Sequence, residues 1–331
     1  MVIVYAILIF CLLIFVHEFG HFITAKAVGI KVNEFSLGMG PLLFKFKKGD
    51  TEYSLRALPI GGYCKMEGED EESADSAAFN NKPIPAKMLV VIAGSVMNLL
   101  LAIVILAIVF ISIGIPNTTI KEISPDLPAG KAGLMAGDTI VQIEDKKIQE
   151  WSEILEAIGN SEKETLTIIA DRDGTIIPFE VDVAIEGERR VIGIQPDSTK
   201  NPVKALVLGT KSTFEMGVEM IKMIGQLISG KVSADALTGP VGIVYIVGDT
   251  ARMGWIYLAQ LTAFISLNLA IVNMLPFPAL DGGRALFLII RIFTGKTISD
   301  TTEGTIHFVG LLLLFGLMIY VTFQDIGRFL L

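Results

Sequence analysis

The chain has 331 residues, 52% of them hydrophobic, and a formal net charge of -8. Its mean hydropathy of +0.60 exceeds what the roughly 45–50% apolar composition of soluble domains gives, and its acidic balance argues against a nucleic-acid partner. Cys11 and Cys64 are far apart and lack CxxC spacing, which excludes a disulfide framework and a thiolate zinc site.

In chain order, residues 1–28 are apolar up to Val16 and then read His17-Glu18-Phe19-Gly20-His21. They have no basic leading region and no small-residue cleavage site, so they read as a retained helix with polar groups in its second half. Residues 42–46 and 51–56 are predicted strands, joined by Lys47-Lys48-Gly49-Asp50 and followed by Pro59, Gly61 and Gly62, which break the pattern. The acidic run 67–75 reads as a solvated loop. Residues 88–113 carry no charge and are long enough to span a bilayer, which takes about 20 apolar residues.

Charges return over residues 115–198. Residues 139–143 form a predicted strand. Trp151, Ile154, Leu155 and Ile158 share one face of a predicted helix. Residues 165–170 and 175–183 flank Asp171-Arg172-Asp173-Gly174, a hairpin signal. This pattern predicts a soluble α+β domain inserted between spans two and three. Residues 203–229 mix Lys204, Lys211, Glu215, Glu219 and Lys222 with apolar residues, as a helix lying along a membrane interface does; a solvent-facing helix of the inserted domain fits equally. Residues 253–280 are uncharged until Asp281, and residues 306–324 carry one histidine, His307. The expected architecture is an α-helical membrane protein with four transmembrane helices, a membrane-associated β-hairpin segment and an inserted α+β domain. Its parts are residues 1–114, 115–198, an amphipathic connector 199–252, and 253–331.

Lys31, Lys45, Lys47, Lys48, Arg56, Lys65 and Lys82 lie in the first loop; Arg284, Arg291 and Lys296 follow span three. The positive-inside bias places both loops in the cytoplasm, and both termini and the inserted domain outside. Spans one and three then run in the same direction. His17, His21 and Asp281 arrive at similar depth, towards the cytoplasmic face.

On a helix, positions i and i+4 share a face, so His17 and His21 can hold one metal ion. Glu18 stands to the side, where it can take a proton from a metal-bound water. Catalytic zinc commonly has three protein ligands and one open position, and Asp281 is the candidate for the third. It follows Asn273-Met274-Leu275-Pro276-Phe277-Pro278-Ala279-Leu280, where two prolines stop a regular helix. Irregular backbone at membrane depth is tolerated only against protein or a watery cavity, and an ionisable group there is functional by default. Asn268 and Asn273, five apart before this break, are candidate binders of an unwound substrate backbone; bridging between helices is the alternative. His307 reads as structural or interfacial. Two other classes compete. A transporter with an ion site has no need of Glu18 and predicts inverted repeats. A catalytically silent scaffold has no need of His17, Glu18, His21 and Asp281 together.

His17–His21 with the 273–283 motif resembles the site-2 protease family of intramembrane zinc metalloproteases, and the layout resembles its bacterial branch that cleaves anti-sigma factors. Residues 35–41 and 58–66 resemble its membrane-associated β segment. Gly94-x-x-x-Asn98 resembles its second-span element, and Gly239-Pro240-Val241-Gly242-Ile243 its motif before span three. Residues 125–143, with Ala132-Gly133-Leu134 and Gly137-Asp138, resemble a PDZ domain. Ser95 and Arg284 depart from the family's usual proline and from the histidine of some members. The resemblance implies Zn2+, with His17, His21 and Asp281 as ligands, Glu18 as base and Asn273 as a substrate contact. It implies single-pass transmembrane substrates, among them anti-sigma factors trimmed by an upstream protease or signal-peptide remnants, in a lipid bilayer. A strand edge in residues 42–56 is expected to hold the substrate extended.

Overall fold

The computed structural model describes residues 2–69, 73–187, 189–233, 237–295 and 300–329. Residues 70–72 of the acidic run, and Lys296, lie outside them. The chain forms two compact units, Met1–Val109 with Leu206–Leu331, and Phe110–Ala205. Four helices are long and apolar enough to cross a membrane: Val2–Ala27, Ile84–Ile113, Trp255–Asn273 and Thr302–Phe329.

Helix α1 (Val2–Ala27) leaves Leu8, Leu12 and Phe15 exposed while Leu13, His17 and His21 are buried. An apolar outer face of this kind suits lipid. Strands β1 (Val32–Lys48) and β2 (Thr51–Met66) follow. Both are longer than expected, because β2 continues through Gly61 and Gly62. Gly61 at φ +93 and several register shifts let the strand bend where proline and glycine were expected to end it.

The register narrows the edge expected within 42–56 to 42–48 and adds a second one. Tyr53 pairs with both Phe46 and Phe35, and Leu55 with both Phe44 and Leu37. Phe35 and Leu37 pair in turn with Cys64 and Gly62. The segments therefore lie in the order 42–48, 51–56, 32–37, 62–66. Residues 51–56 are interior, and among the described residues the edges without a partner strand belong to 42–48 and 62–66, where the Met66 amide donates to Glu69 at 3.3 Å. Helix α2 (Ile84–Ile113) then crosses α1, with Gly20 against the carbonyl of Ala93.

The second unit contains β3 (Ile115–Ile123), α3 (Pro128–Lys131), β4 (Thr139–Ile143), β5 (Lys146–Lys147), α4 (Trp151–Gly159), β6 (Thr165–Arg172), β7 (Thr175–Asp182), β8 (Ala184–Glu186), β9 (Arg189–Val191) and β10 (Ile194–Thr199). Its main sheet runs β10-β3-β4-β6-β7, with β5 paired to β4. Ile120, Ile140, Ile143, Ile154, Leu166 and Ile168 fill the core. Asp173 and Gly174, both at positive φ, make the two-residue turn between β6 and β7, whose hand matches strand twist. Helix α4 starts with a reciprocal cap between Glu150 and Glu153, which satisfies backbone donors at both positions. Buried Asp138 accepts from Arg172 Nε and Nη2, each at 2.7 Å, and from the Met135 amide at 2.8 Å.

The expected connector resolves into two helices, α5 (Pro202–Ile228) and α6 (Pro240–Met253), ahead of α7 (Trp255–Asn273). Pro276 and Pro278 separate α7 from α8 (Asp281–Thr294), so Asp281 opens a new helix beyond the span. In α9 (Asp300–Phe329), buried Asp325 accepts from the Gly239 and Gly242 amides at 3.2 and 2.7 Å, closing the first turn of α6. Those amides have no acceptor within their own helix.

Candidate metal centre

His17 and His21 stand one turn apart on α1, because four residues make slightly more than one helical turn. Their Nε2 atoms are 3.2 Å apart. Asp281 Oδ2 lies 3.2 Å from His17 Nε2 and 3.4 Å from His21 Nε2. A tetrahedral centre with bonds of 2.0–2.1 Å has ligands about 3.3 Å from one another, so the three atoms fit one face of a zinc tetrahedron. Asp281 Oδ2 is buried without a hydrogen-bond partner, a costly state for a carboxylate oxygen unless an ion meets it. Together these residues are a group able to hold a metal ion.

The outer ring nitrogens are also held. His21 Nδ1–H donates to the Val90 carbonyl at 2.8 Å, which leaves Nε2 a lone pair. The Asn98 side chain lies 3.3 Å from His17 Nδ1. An amide half-turn exchanges oxygen and nitrogen. It points Oδ1, otherwise buried without a partner, at the His17 Nδ1–H and frees that Nε2 as well. Asn98 is anchored from α7, where Ser266 Oγ donates to its backbone carbonyl at 2.8 Å. In sequence, Asn98 is visible only through a family pattern, and the Val90 carbonyl carries no sequence signal at all.

Glu18 lines a cavity of about 620 Å³ together with His17, His21 and Asp281. Residues 63–66 of β2 form another wall, so a free strand edge borders the candidate centre. A β-carbon at Gly62 would lie 3.5 Å from Glu18 Cγ. Cys64 lines the same cavity, but burial, with Glu18 and Glu69 nearby, pushes its thiol pKa up and keeps it protonated, which disfavours metal binding. Arg284 at the rim pairs with Glu69.

The two asparagines separate. Asn273 reaches the centre, with Nδ2 3.3 Å from His17 Nε2. Asn268 lines a different, largely apolar cavity of about 1100 Å³ between α5, α6 and α7. Five residues rotate a helix by roughly 140° beyond a full turn, which is why the two do not share a face. His307 also lines the cavity that holds His17, His21 and Asp281, and its Nδ1 accepts the Ala279 amide at 2.9 Å.

The family model "Peptidase family M50" matches residues 5–317. A Clostridium acetobutylicum protein is 40% identical over 328 residues, covering 98% of this chain and 97% of its own. The zinc metalloprotease RasP of Geobacillus kaustophilus is 30% identical, with 98% and 97% covered. The regulator of sigma-W protease RasP of Bacillus subtilis is 29% identical, with 97% of each covered.

Proposed function

The chain belongs to peptidase family M50, the site-2 proteases, and is an intramembrane zinc metalloprotease with four helices long and apolar enough to cross a membrane; from that premise we propose that those helices span the bilayer, that His17, His21 and Asp281 hold the zinc, that Glu18 moves the proton, and that the substrates are single-pass membrane proteins cut within their spans. The observation that carries this reading is the triangle of donor atoms, with sides of 3.2, 3.2 and 3.4 Å, beside a cavity that includes Glu18.

Zinc, when bound, supplies Lewis acidity that polarises the scissile carbonyl and lowers the pKa of a water ligand to about 7. Glu18 takes the proton of the attacking water and passes it to the leaving amine. Asn98 and the Val90 carbonyl keep both imidazoles turned inward. A helical substrate hides its carbonyls in its own hydrogen bonds and must be unwound. The free edge of residues 62–66 offers an unwound segment a row of backbone partners next to Glu18. Asn273, at the His17 ring, supplies an amide for the same backbone. Asn268 would meet a substrate only outside the metal cavity.

The basic residues of loop 29–86, with Arg284 and Arg291, support a centre towards the cytoplasm, and termini and the 110–205 unit outside. The six-stranded sheet and two helices of that unit suit a PDZ-like domain that excludes substrates with bulky outer domains. The name of the Bacillus subtilis relative, regulator of sigma-W protease, supports anti-sigma factors, trimmed first by another protease, as the substrate class.

The test is purification, metal analysis and cleavage of a model transmembrane helix. The wild type should retain zinc and cut. Glu18→Gln should retain zinc and lose at least about 10²-fold in cleavage. Asp281→Asn should lose both. Zinc fully retained in Asp281→Asn, or Glu18→Gln turning over within about tenfold of wild type, overturns the assignment.

A further inference from the structure

Asp281 reaches the two histidines at the end of a loop with an uncommon backbone. Ala279, two residues earlier, sits at φ +76. A residue with a β-carbon stays in that region only when its surroundings hold it there. Helix α9 supplies the hold. The His307 Nδ1 accepts the Ala279 N–H at 2.9 Å. Gly310, one turn further on the same helix, lets the backbone close on the loop: a β-carbon there would meet the Pro278 carbonyl oxygen at 2.5 Å. The His307 ring also packs edge-on against Phe287 of α8, with centroids 5.5 Å apart. One imidazole therefore touches the loop that delivers Asp281 and the helix that Asp281 begins.

With Nδ1 accepting, the neutral ring carries its proton on Nε2, which lies 3.8 Å from Glu303 Oε1. The nitrogen that meets the Ala279 amide is thus committed to the loop. Remove that acceptor and the Ala279 amide loses its partner, leaving packing and the 3.2 Å bond from the Leu280 N–H to the Phe277 carbonyl to oppose a return of Ala279 to ordinary backbone angles. That rotation swings Leu280 and redirects the first residue of α8.

We propose that His307 is a positioning residue for the metal centre: by holding the Ala279 amide it fixes the direction in which the loop presents the Asp281 carboxylate to His17 and His21. The proposal rests on the reading of Asp281 as a ligand. It gives the histidine outside the His17–His21 motif a role in metal affinity without making it a ligand.

The experiment compares full-length wild type with His307→Phe, His307→Asn and Asp281→Asn. Each is stripped of metal in detergent and titrated with zinc against a competing chelator, and the melting of each apoprotein is recorded. Phenylalanine keeps a ring against Phe287 but accepts nothing. Asparagine puts an amide oxygen close to the place of Nδ1. His307→Phe should bind zinc about 10–100-fold more weakly, and His307→Asn should recover to within about threefold of wild type, as loss and restoration of an outer support require. The apoprotein of His307→Phe should melt slightly below wild type and His307→Asn, since its Ala279 amide has lost an acceptor, and each variant must still melt cooperatively for the zinc affinities to be compared. Wild-type zinc affinity in His307→Phe, or His307→Asn no tighter than His307→Phe, overturns the proposal. If the phenylalanine variant does not fold, His307→Gln replaces it, because its longer chain carries the acceptor past the Ala279 amide; binding equal to that of His307→Asn overturns the proposal, and weaker binding supports it. Asp281→Asn separates the two readings. Wild-type affinity there defeats the metal centre itself, whereas loss there with none in His307→Phe defeats only the role of His307.

Discussion

Gly94 of α2 lies directly against the two imidazoles of α1: a β-carbon on it would stand 2.4 Å from His21 Nε2 and 2.6 Å from His17 Cε1. No side chain fits there without moving a ring. Gly94→Ala is therefore expected to lower zinc affinity by at least about tenfold, in the range seen when ligand orientation is lost. Alanine favours the helix by about 1 kcal/mol over glycine, which offsets part of the clash and leaves the protein folded. Metal analysis beside thermal unfolding checks this. Full zinc content in the variant would show that the two rings are free to shift without cost.

The free strand edge at the metal cavity yields a second test. Successive amides of a strand point to opposite sides, so of Cys64 and Lys65 one faces β1 and the other faces outward. Proline at the outward position removes a donor without breaking the sheet. It should slow cleavage of a stable helical substrate more than cleavage of one already weakened by glycine. Proline at Lys45, on the far edge, should not discriminate between the two. Equal losses at both edges would argue against substrate pairing with residues 62–66.

Asp138 gives the 110–205 unit a pH dependence of known sign. Hydrogen bonds from Arg172, and from the Met135 amide, hold its carboxyl below the usual range despite burial. A depressed folded pKa contributes stability that is fully present above the unfolded value of about 3.9 and fades as pH falls through the lower folded value. Asp138→Asn should therefore unfold more readily at neutral pH and show a flatter acid limb. Trp151 packs on this core, and its fluorescence in a Trp255→Phe background reports the transition. An unchanged acid limb would mean that other groups set it.

Asp325 tests how α9 and α6 depend on each other. Asp325→Ala leaves the Gly239 and Gly242 amides without their acceptor. The expected cost is about 0.5–2 kcal/mol, as for other lost helix caps. Asp325→Asn keeps one acceptor oxygen and should fall between. Thermal unfolding in detergent orders the three proteins, and alanine equal to wild type would show that water replaces the carboxylate.

The linear chain by itself determined whatever depends on local periodicity and steric rules. His17 and His21 share a face because four residues close a helical turn. Pro276 and Pro278 end α7 because proline removes amide donors. Charge-free stretches of bilayer length became helices, and the alternating residues of 139–143 and 165–170 became strands. Tertiary structure decided what depends on segments distant in sequence. The edge expected within 42–56 survives at 42–48, whereas 51–56 became interior once 32–37 folded onto them, because strand order is a matter of long-range pairing. Asn273 reached the His17–His21–Asp281 cluster and Asn268 did not, because helix rotation against α1 and α2 selects one face. Val90 and Asn98 meet the outer ring nitrogens, and His307 meets the Asp281 loop, through contacts between different helices. Side-chain packing across those helices creates such contacts, and no local propensity encodes them.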